Sequence, residues 1–110
     1  MNTYDMSVMS QEMPQQFAEV LTSITDSNRM QSFLRDVMTE KEIIEISARF
    51  EAASMLSAGE PYTRIIRRTK LSSRTVARIS DWLQNGSGGY RAVIDNAHHA
   101  HIPPDLSIHL

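Results

Sequence analysis

A chain of 110 residues has room for one domain and one modest core, and a core of that size leaves little stability to spare. Cysteine is absent, which excludes a disulfide framework, a thiolate metal site and a cysteine nucleophile. The net charge of −2 hides a segregation: residues 1–61 hold ten acids against four bases, residues 62–80 hold six bases and no acid, and residues 81–110 hold three acids and one base.

Residues 1–12 are polar and rich in methionine, and are expected to form a flexible N-terminus. Residues 1–16 contain no Lys or Arg, and no apolar run approaches the roughly 20 residues of a membrane span. Neither a signal peptide nor a membrane segment is expected, and a cytoplasmic location is. Pro14 suits the first turn of a helix, where its missing N–H is not needed. Phe17, Val20, Leu21 and Ile24 then recur at spacings of three and four, which predicts an amphipathic helix ending near Thr25 to Asn28. A second helix is predicted from about Arg29 to Asp36, with Met30, Phe33, Leu34 and Val37 on one side.

Thr39 and Glu42 have the spacing of a capping box. The helix they open carries Ile43, Ile46, Phe50, Ala53 and Leu56 at helical spacing and is expected to stop at Gly59. Two short helices follow, Tyr62 to Thr69 and Ser73 to Gln84, broken at Lys70-Leu71-Ser72, with Ser72 as a good N-cap. Residues 85–89 (Asn-Gly-Ser-Gly-Gly) predict a stop. Tyr90, Val93, Ile94 and Ala97 predict a short last helix, and residues 98–110 an irregular tail. Residues 13–97 are therefore read as one all-α domain.

The pair of short helices over residues 62–84 has the apolar spacing of a helix-turn-helix. Ile65 and Ile66 on the first helix, Leu71 in the turn, and Val76 and Ile79 on the second would lock the two at a steep angle. Ser73, Arg74, Thr75, Ala77 and Arg78 would then face outward and read base edges in a DNA major groove. Arg64, Arg67, Arg68, Lys70 and Ser72 would contact phosphates, which gives affinity without sequence choice. One position departs from the usual pattern. The turn commonly holds a glycine where this chain has Lys70, and a positive φ there would cost about 1 kcal/mol.

The stretch from Phe33 to Asp95 resembles the Trp-repressor-like regulators of the YerC/YecD family. The matching runs are FLRDVMTEKEI, RFEAASML, YTRII, TVARI and NGSGGYRAVID, and the glycine-rich segment ending at Tyr90 is the most specific of them. The resemblance implies an all-α fold of about six helices and an intertwined homodimer, with the second helix of each motif entering the major groove. The half-sites would lie one DNA turn apart, roughly 34 Å. It also implies where an effector would sit. Arg49 and Arg78 match two arginines that flank the indole in the Trp repressor, and Thr39 matches a threonine lining that pocket. Two positions depart. Ile79 stands where that repressor has a glycine beside the indole, and Trp82 where it has a serine that meets the ligand amine. Both side chains would fill the space. A small-molecule corepressor stays open on this reading, but tryptophan is not expected to be one.

Other signals carry less. His98, His99, His101 and His109 lie near or past the last helix with only Asp105 as a neighbouring acid in the tail, and are read as adventitious metal binders. Four of the seven methionines fall within the first 13 residues and suit adaptable packing. Nothing resembles a catalytic constellation, and the glycines before Tyr90 lack the Lys-Ser/Thr of a phosphate loop. No enzyme activity and no cofactor are expected. The sequence therefore reads as a sequence-specific DNA-binding transcriptional regulator, with repression as its expected mode. A helical protein–protein module that docks its basic face on an acidic partner is the second reading.

Overall fold

The computed structural model describes the backbone of residues 6–101 and side chains as far as Asn96. Among them a 3₁₀ turn, Ser7–Ser10, precedes six α-helices: α1 Glu12–Ser23, α2 Ser27–Val37, α3 Glu40–Ser57, α4 Tyr62–Thr69, α5 Ser73–Asn85 and α6 Gly89–His101. None of these helices is long and apolar enough to cross a membrane. The chain divides into two compact units, Met1–Ser47 and Ala48–Leu110.

In the first unit, α1 begins two residues ahead of Pro14, so the proline still lies in the first turn, where N–H groups have no intrahelical acceptor. The second helix starts earlier than the apolar spacing suggested. Asp26 is its N-cap, and its carboxylate accepts the Arg29 N–H at 3.3 Å. Phe17 and Phe33 stack with ring centroids 6.1 Å apart. The capping box forms in both directions: the Glu42 N–H donates to Thr39 Oγ1 at 3.1 Å, and the Thr39 N–H donates to Glu42 Oε1 at 2.9 Å. No described residue of this unit is fully buried.

The second unit holds the core. Ala52, Ala53, Ile65, Val76, Ile79 and Ile94 are at most 2% exposed, with Met55, Leu56, Ile66, Leu71, Leu83 and Tyr90 packed around them. The α3 face expected from spacing is only partly the one buried. Phe50 and Ile46 remain exposed, while Ala52, which the spacing did not single out, is buried beside Ala53. Two small side chains on α3 leave room for the branched residues of α4, α5 and α6. Helix α3 ends as expected at Gly59, whose φ of +84° suits a residue without Cβ. The Glu60 N–H reaches Met55 O, and the Gly59 N–H reaches Leu56 O, both at 3.0 Å, which satisfies carbonyls the helix end would otherwise orphan.

The last helix is longer than the short one expected, running to His101. Ile94 enters the core and Tyr90 is half-buried, but Val93 is exposed. The side chains of His98, His99 and His101, and all of His109, lie outside the described residues, as does most of the expected tail.

Candidate nucleic-acid interface

The helix-turn-helix is built by α4, α5 and the three residues between them. Ile65 from α4 and Val76 and Ile79 from α5 are buried in one cluster, with Ile66 and Leu71 half-buried against it. The turn has the geometry that the sequence made costly: Lys70 is left-handed, with φ 63° and ψ 14°, and its N–H donates to Ile66 O at 2.9 Å. Thr69 braces the same turn. Its hydroxyl donates to Ile65 O at 2.7 Å and accepts the Leu71 N–H at 3.3 Å. Ser72 then caps α5, its Oγ accepting the Thr75 N–H at 3.1 Å.

With α5 held by its apolar side, its opposite side is fixed by helix geometry. At about 100° per residue, Ser73, Arg74, Ala77 and Arg78 fall within an arc of about 140°, opposite Val76, Ile79 and Leu83. All four are exposed. Thr75 is different: it is half-buried, and its Oγ1 accepts a hydrogen bond from Ser72 Oγ at 3.0 Å. The hydroxyl of that threonine therefore belongs to the cap. Helix α5 has 13 residues, about 20 Å in length.

The six cations of residues 62–80 are not equivalent. Arg64 Nε lies 3.3 Å from Glu60 Oε1, and Arg68 Nε lies 3.3 Å from Glu51 Oε2. Among the described residues no acid pairs with Arg67, Lys70, Arg74 or Arg78. Sequence reasoning passed over both pairs. Glu60 and Arg64 stand four apart, a legible local spacing, whereas Glu51 and Arg68 stand 17 apart and meet only in the folded unit. Glu51 is thus engaged by Arg68, and Glu42 by the capping box.

The residues matched to an effector pocket divide between the two units. Thr39, in the first, is engaged with Glu42. Arg49 and Arg78 belong to the second; Arg49 is half-buried and Arg78 exposed. Ile79 is 2% exposed and part of the core, and Trp82 is half-buried. Burial raises the Tyr90 hydroxyl above its ordinary pKa, and the positive charge of Arg49 opposes the rise.

Comparison with known proteins agrees with this arrangement. YerC of Bacillus subtilis (strain 168), an uncharacterised protein, is 32% identical over 84 residues, spanning 76% of this chain and 80% of its own. The crystal structure of a TrpR-like protein from Eubacterium eligens ATCC 27750 superposes with a TM-score of 0.78 at 29% identity, covering 84% of this chain and 95% of that one. The family model of the Trp repressor protein matches residues 12–98, which takes in α1 to α5 and most of α6. The chain belongs to the Trp repressor family.

Proposed function

We propose that this protein is a cytoplasmic, homodimeric repressor that binds specific duplex DNA sequences through α5. Membership in the family makes it a helix-turn-helix DNA-binding regulator, and the family is not one of enzymes. The observation that carries the finer reading is the outward face of α5. Ser73, Arg74, Ala77 and Arg78 project from a helix whose other side is locked into the core, in a segment with six cations and no acid. An α-helix with its side chains fits the major groove, and arginine at such positions pairs with guanine edges.

The proposed division of labour follows exposure and position. Arg74 and Arg78 read bases, assisted by Ser73, Ala77 and the methyl of Thr75. Arg67, Lys70 and Ser72 hold phosphates, with Arg64 and Arg68 as further phosphate contacts. Selection of bound duplexes from a random library tests the whole reading, and the expected product is a motif with two-fold symmetry. Replacement of Arg67 should weaken binding to all duplexes alike, whereas replacement of Arg74 should also relax preference at one base pair, by roughly 1–3 kcal/mol. Identical effects from the two would refute the division, and recovery of no motif would refute sequence-specific reading.

The same proposal holds that tryptophan is not a corepressor. Ile79 is part of the core, at 2% exposed, and so fills its position with a branched side chain. Titration calorimetry with L-tryptophan should register no heat of binding; a micromolar dissociation constant would overturn this part.

A further inference from the structure

We propose that Glu51 is an internal competitor for DNA phosphate: its carboxylate occupies the Arg68 guanidinium in the free protein and so reduces what Arg68 contributes to DNA affinity. The proposal rests on the reading that the α4–α5 face binds duplex DNA. Arg68 Nε and Glu51 Oε2 are 3.3 Å apart, with side chains 66% and 43% exposed. A carboxylate presents a guanidinium with the same kind of paired, anionic oxygens as a phosphodiester, so the two compete for the same donors.

Both ends of the pair are anchored. Glu51 directly precedes Ala52 and Ala53, which are wholly buried, and Arg68 follows Ile65, also wholly buried, by less than one turn. The backbones of the two residues are thus fixed by one core, and only side-chain torsions separate the paired from the unpaired state. The pair bridges 17 residues of sequence. It is therefore not a by-product of short sequence separation, as the Glu60–Arg64 pair four residues apart is. Exposure keeps the contact weak enough for DNA to displace it.

A phosphate contact adds affinity because the cation releases counterions from the duplex. An arginine already neutralised by an acid of its own chain enters that exchange at a disadvantage. Phosphate contacts carry no sequence information, so the brake acts equally on all duplexes. Arg67, Lys70, Arg74 and Arg78 have no such acid partner among the described residues and keep their full effect.

The test is a double-mutant cycle on the full chain, read as affinity for a random-sequence duplex over a salt series. Glu51→Gln should tighten binding by up to roughly fivefold for each pair released. It should also steepen the dependence of log affinity on log salt by about 0.9 per pair. Glu51→Asp, which keeps the charge and shortens the reach, should give part of the same gain. In an Arg68→Gln background, Glu51→Gln should change neither affinity nor slope. An equal gain in both backgrounds would reveal a general charge effect and overturn the proposal, as would no gain in the unaltered background. Absence of any duplex binding by the unaltered chain would instead overturn the DNA reading itself, and the competitor role with it.

Discussion

Lys70 is the residue at which local conformation and charge pull in different directions. A left-handed backbone costs a side-chain-bearing residue about 1 kcal/mol or more, and glycine avoids that cost. The lysine nonetheless places a cation in the turn just before α5. Lys70→Gly is expected to raise stability by about 1 kcal/mol or less, a few degrees in melting temperature, while weakening duplex binding. Thermal melts and DNA titrations of one variant would read both effects, and a melting temperature that fell would contradict the strain. Tyr90 gives a second residue-level expectation. Its hydroxyl titrates higher in the folded chain than its unfolded value of 10.0, because burial favours the neutral form. Its contribution is thus fully present below pH 10 and is lost as pH rises through the folded value. Urea melts between pH 8 and pH 11.5 should show this decline, and Tyr90→Phe should flatten it.

The helices stand on their termini as much as on their faces. Ser72 satisfies an N–H of α5 and fixes where the exposed arc begins, so Ser72→Ala should cost about 0.5–2 kcal/mol. Chemical denaturation would measure that loss; a change within experimental error would mean that Thr75 and water cap the helix as well. Gly86 closes the same helix, with its N–H on Trp82 O at 2.9 Å. A Cβ there would collide with the backbone carbonyl of Trp82, which has no side-chain freedom with which to yield. Most of this was legible in advance because caps and stops are local. The Thr39–Glu42 box, Gly59, Ser72 and the break at Lys70 depend on residues within five positions of one another. What the sequence misjudged depends on packing. Spacing alone placed Ile46, Phe50 and Val93 on buried faces, yet each is exposed, and it passed over Ala52, because a small residue announces no burial of its own. In the candidate interface the outward arc of α5 could be read from helical phase, whereas the engagement of Arg68 by Glu51 needed two helices folded together.

At the scale of the whole chain, burial is distributed unequally. Among the described residues, all six buried hydrophobic ones lie in the second unit, while Met13, Phe17, Val20, Val37, Ile44 and Ile46 of the first are each more than 40% exposed. So many large apolar side chains in water are a reason for a chain to associate, and they support the proposed homodimer. Ile44, 63% exposed, and Ile46, 54% exposed, give the sharpest test. Replacing both with aspartate should leave a single chain in sedimentation equilibrium at concentrations where the unaltered protein sediments as a pair. An unaltered protein that sediments as a monomer would refute the dimer.

The α4–α5 motif draws its stability from outside itself. Its buried residues, Ile65, Val76 and Ile79, close on a floor of two alanines from α3 and on Ile94 from α6. A peptide restricted to residues 62–85 would lose both, and its own Ile65, Ile66, Leu71, Val76, Ile79 and Leu83 are too few to hold two helices of 8 and 13 residues at a fixed angle in water. The motif is therefore not a portable cassette. Transplanted into another scaffold, it would keep its shape only if the recipient supplied small residues like Ala52 and Ala53 and a branched aliphatic side chain like Ile94 against it.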